Sequence, residues 1–433
     1  MKECLLGDLL DVNRGMSLSG EFYATEGNLV RLTCGNFDYN NNCFKENHSK
    51  DDIYFTGTVK PQFIMDKDDL ITPLTEQAIG LLGSTAFVPE GGKYIQSQDV
   101  AKITCKEGKL DKNYAFYLIS SNGVKKQLSA CAQQTKIRHT SPDAIKACKV
   151  FVHDYPTQKK IGKFFRTIDE KIALNQQINR NLEELARLIY DYWFVQFDFP
   201  DKNGKPYKSS GGKMVWNEKL KRDIPAGWQT AKVRDVILPI ERGISYSSDE
   251  ITDPNGTPMI NLACFDKKGN YRTGEFKYFT GKYKNEDKVY PFDMLIACTD
   301  LTQKADIIGT PIFAPTECPF YVFSMDLVKI TPIRSNDKQF LYYYLKHPAF
   351  HHYIKPFASG TTVKHLRVDG LLDYPIFMPD ESVRDAFAEV MEPIRQKIAD
   401  NTSHGVELSK MRDYLLPLLM NGQVSVKSSN RSK

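Results

Sequence analysis

One glycine-rich segment of this 433-residue sequence contains residue types that bind nucleotide phosphates in other proteins. Gly211-Gly212-Lys213 resembles the end of a phosphate-binding loop, but Met214 follows the lysine where such a loop has Ser or Thr, and the leading glycine is missing. We interpret the segment as a flexible turn with basic neighbours. The sequence also lacks GxGxxG and the Asn-Pro-Pro-Tyr or Asp-Pro-Pro-Tyr segments of enzymes that methylate base amino groups.

Two further groups have the residue types of metal sites. Asp143 and Asp169-Glu170-Lys171 would supply nuclease-like carboxylates, but Mg²⁺ sites usually take these from adjacent strands, and 169–171 fall on a predicted helix. His347 and His351 stand four residues apart, yet no Glu follows His347 as a metalloprotease requires. Polar helix surfaces explain both groups better. The sequence therefore predicts a protein with no active site and no metal site of its own.

The sequence contains an internal repeat, whose two copies lie about 226 residues apart. The matched segments keep a constant order: Leu81-Leu82-Gly83 with Ile307-Ile308-Gly309, Phe87-Val88-Pro89 with Phe313-Ala314-Pro315, and Lys171-Ile172-Ala173 with Lys397-Ile398-Ala399. At a slightly larger offset, Arg14-Gly15-Met16-Ser17 matches Arg242-Gly243-Ile244-Ser245. Because the order is preserved throughout, we expect two structurally equivalent halves.

Each copy begins with about 150 residues of short mixed segments. Runs rich in β-forming residues are punctuated by Gly, Pro and Asn, and occupy 28–32, 52–55, 69–72, 85–88 and 100–104. A helix is predicted at 112–120 and is matched by 338–346 in the second copy. This pattern is typical of a compact α+β domain.

A long helix closes each copy. Between Thr157 and Tyr192 the only helix breaker is Gly162, and a seam of residues that is apolar except at Asn175 and Asn179 steps four and three apart from Ile161 to Ile189. A heptad seam of this length indicates a helix paired with another helix, in preference to an ordinary amphipathic helix on a globular core. The second copy has the equivalent seam from Phe387 to Leu415, weakened by Pro393 and Gly405.

Two asparagines, Asn175 and Asn401, stand at equivalent places on these seams. One interpretation is that they face solvent at a frayed edge. The other is a buried polar contact that fixes the register of the helix pair. The sequence does not choose between them.

Charge and cysteine usage restrict the function classes. The net charge is +5, and residues 201–226 alone hold seven Lys and Arg against three Asp and Glu. Charge by itself therefore does not establish nucleic-acid binding. Among the nine cysteines there is no CxxC pair, which favours reduced thiols. With acidic residues near the N-terminus and no apolar run of membrane-spanning length, we expect a cytoplasmic protein that does not enter membranes.

Several segments resemble the specificity subunit of type I restriction–modification enzymes, which shares the order globular domain, long helix, globular domain, long helix. These segments are 173–179 (ALNQQIN), 193–200 (WFVQFDFP), 204–214 (GKPYKSSGGKM), 224–228 (IPAGW) and 359–362 (SGTT). The first copy departs from the pattern, since Gln133-Gln134-Thr135-Lys136 stands where the second has Ser359-Gly360-Thr361-Thr362.

The resemblance implies an α+β fold with two target recognition domains, joined by two long antiparallel coiled-coil helices in an internal pseudo-two-fold repeat. The implied divisions are a first recognition domain (1–155), a central long helix (156–198), a basic linker (199–226), a second recognition domain (227–378), a C-terminal long helix (379–422) and a disordered tail (423–433).

It also implies a non-catalytic subunit whose domains each read one half of a bipartite asymmetric DNA target. The helices would set the spacer and dock two modification subunits, which methylate adenine with S-adenosylmethionine, and restriction subunits. This chain itself would bind no cofactor, since ATP and Mg²⁺ are also expected on the partners. The alternative is a duplicated protein-interaction scaffold without direct base reading.

DNA contacts need long polar side chains on loops that enter a groove. The candidates are Arg14, Lys60, Gln62, Lys136 and Arg138 in the first domain, and Arg242, Lys282, Lys284, Gln303, Lys304, Thr361 and Lys364 in the second. For each one taken alone, solvated surface is the better explanation. Their recurrence in both copies favours a shared role.

Overall fold

The computed structural model describes residues 1–39, 42–47, 51–76, 80–131, 138–252, 255–266, 269–302 and 304–426. The chain forms two compact units, Met1–Lys171 with Ser409–Lys433, and Ile172–Leu408. The division passes through both long helices, so the domain boundaries drawn from the sequence stay a prediction. Of the predicted disordered tail, 427–433 lie outside the described residues, whereas the backbone N–H groups of Gln423 and Val424 donate to the carbonyl of Leu418.

The first unit contains short strands and helices. Its strands are β1 (Lys2–Leu5), β2 (Leu10–Arg14), β3 (Tyr23–Ala24), β4 (Val30–Arg31), β5 (Phe37–Asp38), β6 (Cys43–Phe44), β7 (Tyr54–Phe55), β8 (Leu70–Pro73), β9 (Thr75–Glu76), β10 (Ala86–Phe87), β11 (Tyr94–Ile95), β12 (Val100–Cys105), β13 (Arg138–His139) and β14 (Lys149–Val152). Its helices are α1 (Leu6–Leu9), α2 (Lys112–Ile119), α3 (Asn122–Cys131), α4 (Pro142–Lys146) and the start of α5 (Tyr155–Tyr190).

Two four-stranded sheets form the centre of this unit. One is antiparallel with the order β10-β8-β12-β2, and the other has the order β11-β4-β7-β3, with β4 and β11 parallel. Ile71 and Val100 of the first sheet share a buried cluster with Val30 and Tyr94 of the second. The small pairs β9–β13, β1–β14 and β5–β6 complete the sheets of the unit. The α+β prediction is therefore confirmed.

The second unit repeats this plan. Its strands are β15 (Met214–Asn217), β16 (Arg222–Pro225), β17 (Gln229–Lys232), β18 (Glu241–Arg242), β19 (Ile251–Thr252), β20 (Thr257–Ile260), β21 (Lys277–Phe279), β22 (Lys288–Val289), β23 (Met294–Ala297), β24 (Thr299–Asp300), β25 (Pro311–Phe313), β26 (Tyr321–Phe323), β27 (Leu327–Ile330), β28 (Ala358–Ser359), β29 (Lys364–Leu366) and β30 (Pro375–Met378). Its helices are α6 (Asp337–Lys346), α7 (Pro348–Ile354), α8 (Val368–Leu372) and the start of α9 (Glu381–Met420).

The sheet orders confirm the repeat inferred from the sequence. The sheet β25-β23-β27-β18 corresponds to β10-β8-β12-β2. The strands β26-β20-β21-β19 correspond to β11-β4-β7-β3, again with one parallel pair, and β22 adds a fifth strand beside β26. The pair β17–β30 corresponds to β1–β14, and β24–β29 corresponds to β9–β13. Strand β28 extends the last of these to three strands.

The two long helices run antiparallel. In the first unit, Arg412 near the end of α9 pairs with Asp169 in the first half of α5, with 2.8 Å between Nη1 and Oδ1. In the second unit, Nδ2 of Asn179 lies 3.2 Å from the carbonyl oxygen of Ile398. Helix α9 continues through Pro393 and Gly405. The low helix propensity of the proline and the glycine is outweighed by the burial of residues such as Phe387 and Met391.

Helix α5 ends earlier than the sequence predicts. Residues Asp191–Val195 form a π-helical turn in which the N–H of Gln196 donates to the carbonyl of Asp191 at 2.8 Å. The wider turn carries Trp193 and Phe194 into the core of the second unit. Phe197 then adopts a φ of 65°, which takes the backbone out of the helix.

Candidate nucleic-acid interface

Arg14 is the last residue of β2, and Arg242 is the last residue of β18, the equivalent strand of the second copy. After each arginine the chain leaves the antiparallel sheet and runs towards the second sheet of its copy. Each is exposed at the end of its strand, and each donates through Nε to a backbone carbonyl, that of Gln98 at 2.8 Å and that of Met325 at 3.2 Å. The glycine that follows each arginine packs against backbone. A Cβ on Gly15 or Gly243 would lie 2.2 Å from a carbonyl oxygen, so glycine is required at both positions.

Lys60 and Lys284 are also equivalent, since each precedes a 3₁₀ turn that leads back into the second sheet. Both are exposed, as are Gln62 and Lys282. The electrostatics of the two copies differ here. Nζ of Lys284 lies 3.0 Å from the Glu286 carboxylate, and this hydrogen bond raises the pKa of the lysine. Lys60 and Lys282 form no ion pair with any residue that the structure describes.

Arg138 and Lys364 stand opposite an acidic residue in equivalent strand pairs. Nη1 of Arg138 lies 3.0 Å from Glu76, whose side chain is only 2% exposed, so this arginine is largely held inside the fold. Asp300 replaces Glu76 in the second copy and accepts backbone N–H groups from Thr302 and Ile307. Lys364 instead donates to the carbonyl of Gly360 at 2.6 Å and stays half-buried.

The Ser359-Gly360-Thr361-Thr362 turn joins β28 to β29 and presents Thr361 at the surface. Gly360 has a φ of 127°, and a Cβ there would lie 1.9 Å from the carbonyl of Val363, so only glycine fits the turn. Lys304 is exposed on the loop that follows β24. The remaining candidates, Lys136 and Gln303, lie outside the described residues.

Arg14 with Arg138, and Arg242 with Lys364, lie at the same end of the antiparallel four-stranded sheet of their copy. Arg14 is opposite Ala101, which is in turn opposite Thr72, and β8 then continues through Leu74 into β9. The second copy has the same register from Arg242 through Val328 to Ile296. Residues far apart in sequence thus come together twice, in the same arrangement. That they contact DNA stays a prediction.

Comparison with known proteins agrees with this duplicated arrangement. The family model described as "Type I restriction modification DNA specificity domain" matches residues 1–184 and again residues 225–405. The chain belongs to this family. The MjaIX specificity subunit of a type I restriction enzyme from Methanocaldococcus jannaschii is 22% identical over 76% of this chain and 73% of its own length. The HindI specificity subunit from Haemophilus influenzae is 25% identical over 72% of this chain and 77% of its own.

A solved structure has the same fold as this specificity-family chain. It is the S subunit of a type I restriction–modification system from M. genitalium, with a TM-score of 0.60 over 99% of this chain and 96% of that one. At 14% sequence identity, this likeness concerns the fold alone.

In this family member the predicted seam asparagines meet between the two helices. Nδ2 of Asn175 lies 3.5 Å from the backbone carbonyl of Asn401, and Asn401 donates to Oδ1 of Asn179 at 2.9 Å. Asn179 in turn donates to Thr402 Oγ1 at 3.0 Å. Asn401 is 3% exposed, so the contact is a buried polar one. Its role in fixing the register stays a prediction.

Sequence reasoning missed the side chains that hold each long helix on its globular part. In the first unit, Tyr117 donates to Asp169, which also receives Arg412, and burial and then Asp169 raise the pKa of the tyrosine well above its usual value. The Arg166 guanidinium lies 4.2 Å from the centre of the Phe87 ring. In the second unit, Arg395 lies 5.3 Å from the equivalent ring, that of Phe313. Because Arg395 is equivalent to Asp169 and not to Arg166, no sequence match indicates this contact.

A second seam on α5 was also missed. Its exposed apolar members are Leu174, Leu185 and Leu188, which are 59%, 45% and 51% exposed, and the half-buried Ile178 continues the stripe. Their spacing repeats that of the inner seam, so a search for a second heptad pattern would have found them. We call these four residues the outer seam.

The described residues contain no cluster of three or more His, Cys, Asp or Glu side chains able to hold a metal ion. His351 is half-buried, and this burial lowers its pKa. Among the helices described, none is both long and apolar enough to span a membrane.

Proposed function

We propose that this chain reads a bipartite, asymmetric DNA sequence, with one half-site bound by each globular domain. The observation that carries the proposal is the duplicated arrangement of these residues: Arg14 and Arg242 end equivalent strands, and Lys60 and Lys284 precede equivalent 3₁₀ turns, of which the first contains Gln62. Arginine and glutamine side chains match the base edges of guanine and adenine in the major groove, and lysines bind phosphates. The double family match supports the same conclusion.

The two half-sites differ because the two sheet ends differ. Gln62 in the first copy is a neutral donor and acceptor, whereas the equivalent Glu286 neutralises Lys284. Arg138 is bound to a buried carboxylate, whereas Lys364 donates to a loop carbonyl. Groups with different hydrogen-bonding patterns select different bases.

The antiparallel helices set the spacer between the half-sites. A continuous helix of 36 residues spans about 54 Å, and seam packing keeps it stiff. Two readers attached to such a rod engage half-sites only at a matching separation and phase.

The outer seam docks a helix of a modification subunit. Leu174, Leu185 and Leu188 repeat at heptad spacing and are exposed, and such a stripe is buried by a partner helix with the same spacing. Two modification subunits would carry S-adenosylmethionine and methylate adenine, and restriction subunits with ATP and Mg²⁺ would join them. The chain itself would be non-catalytic and work in the cytoplasm, beside the DNA.

Mapping methylated adenines in cells with the complete system tests the proposal. We expect a split site of two unlike half-sites. Filter binding, with and without the modification subunits, adds the comparison with the alternative of a protein-interaction scaffold. Sequence-independent binding by the complex, together with a methylation pattern unaffected by Arg14→Ala and Arg242→Ala, would favour that alternative.

A further inference from the structure

The segment between the two copies, residues 199–226, folds into a loop followed by a β-hairpin. We call this segment the inter-repeat hairpin. Strands β15 and β16 pair over four residues each, and the preceding loop closes on itself through an N–H of Gly212 that donates to the carbonyl of Tyr207 at 2.8 Å. The segment is therefore a folded surface and not the flexible turn expected from the sequence.

Buried and aromatic contacts hold this loop in place. The buried Asp198 carboxylate accepts the N–H of Ser209 at 2.7 Å and its hydroxyl at 2.5 Å. The Tyr207 ring stacks on Phe199 with 4.7 Å between centroids, and its hydroxyl donates to the carbonyl of Lys213 at 2.9 Å. A Cβ on Gly212 would lie 2.5 Å from the Tyr207 ring, so the close approach requires glycine. The side chains on the loop are thus presented in a fixed arrangement.

The outward side chains of the hairpin include six lysines, beside the exposed apolar Val215 and Trp216. Lys202, Lys205, Lys208, Lys213 and Lys219 are exposed and form no ion pair with a described residue. Two of the three acidic residues nearby are engaged otherwise, because Glu218 binds Lys221 and Trp216, and Asp201 accepts the N–H groups of Asn203 and Lys205. The third, Asp223, is exposed on β16. The seven positive and three negative residues of 201–226 account for most of the net charge of the chain.

We propose that the inter-repeat hairpin binds the phosphate backbone of DNA and is a third contact surface, separate from the two half-site readers. Preordered lysines without carboxylate partners match a polyanion, since each phosphate contact releases counterions. A protein partner fits less well, because lysine is depleted in protein–protein interfaces. Phosphate contacts of this kind position the DNA and carry no base preference. The inference rests on the proposed DNA binding and adds a surface to it.

The test uses the full chain in complex with its modification subunits. One variant carries Lys→Gln at 202, 205, 208, 213 and 219, and the matched control carries Lys→Gln at the exposed lysines 2, 67, 109, 126 and 149, so both lose five charges. Affinity is measured over a series of salt concentrations, on DNA with the methylated site and on a random duplex. Each lost phosphate contact should make the slope of log K against log salt shallower by about 0.9.

We expect the hairpin variant to lose at least about two units of slope against the control. Affinity should fall by the same factor on both DNAs, and the methylated bases should be unchanged. Equal slopes for the hairpin and control variants would overturn the proposal, as would loss of the modification subunits from the hairpin variant alone. If the parent complex shows no preference for its methylated site, it is the two-reader function that fails, and the slope difference still reports on the hairpin.

Discussion

Asn401 on α9 donates a 2.9 Å hydrogen bond to Asn179 on α5, between the two long helices. We expect Asn401→Ala to lower the free energy of unfolding by about 1–3 kcal/mol, because the Asn179 amide loses a partner inside the helix pair. The control is Asn181, which is exposed on α5, and Asn181→Ala should change stability by less than about 0.5 kcal/mol. Urea unfolding followed by circular dichroism measures both. Equal effects of the two substitutions would mean that the buried contact contributes nothing.

Two glycines in the long helices should respond in opposite directions to alanine. A Cβ on Gly162 would lie 2.6 Å from the backbone nitrogen of Tyr114 and 2.7 Å from Asp111, so Gly162→Ala should destabilise the protein by about 1–3 kcal/mol. Around Gly405 no described atom lies within 4 Å of such a Cβ. Gly405→Ala should therefore stabilise the protein by about 0.5–1 kcal/mol through helix propensity. Thermal unfolding of the two variants beside the parent checks the pair, and a shift in the same direction for both would contradict it.

The helices and the repeat follow closely from the sequence, whereas strand lengths do not. The helix predicted at 112–120 is observed as Lys112–Ile119, because spacing and capping are local properties. The run predicted at 28–32 is a strand only at Val30–Arg31, because a strand extends as far as its partners allow.

The residue types of the candidate interface could be predicted from the sequence, but their positions in the fold could not. Gln96, the residue after β11, accepts the backbone N–H of Met16 and donates its own N–H to the carbonyl of Phe63. These two hydrogen bonds bring the end of the Arg14 strand near the Lys60 turn. No local pattern encodes that register. Likewise, Arg138 has the residue type of a DNA contact, and only the fold reveals that Glu76 already binds it.

His351 makes stability depend on pH. Burial lowers its pKa below the ordinary value, and its Nε2 is buried without a hydrogen-bond partner among the described residues. Since the unfolded chain binds a proton more readily, the stabilisation is present above a pH of about 6.5 and is lost as the pH falls towards the lowered pKa. Melting temperatures at pH 7.5 and 5.5 should therefore differ more for the parent than for His351→Gln. His352→Gln, at the exposed neighbour, is the control and should behave like the parent.

The helix pair should act as a ruler for the spacer. Inserting seven residues into each helix, after Asn179 and after Ile398, keeps the heptad phase and adds about 10 Å. At about 3.4 Å per base pair, the preferred spacer should grow by about three base pairs with the half-site bases unchanged. Methylation mapping reads both properties. Altered bases at an unaltered spacer would exclude the ruler.

The two globular domains should be separable readers. Each copy has its own two main sheets, of four and four strands in the first copy and of four and five strands in the second, so each can present its contacts without residues of the other. Replacing residues 1–150 with the equivalent domain of a relative should change one half-site and leave the other half-site and the spacer as they were. Replacing residues 227–378 is the reciprocal control and should change only the other half-site. The measurement is methylation mapping of both chimeras beside the parent. If either chimera altered both half-sites, or if the parent site were continuous, base recognition would belong to the assembled chain as a whole, and the two-reader model would have to be abandoned.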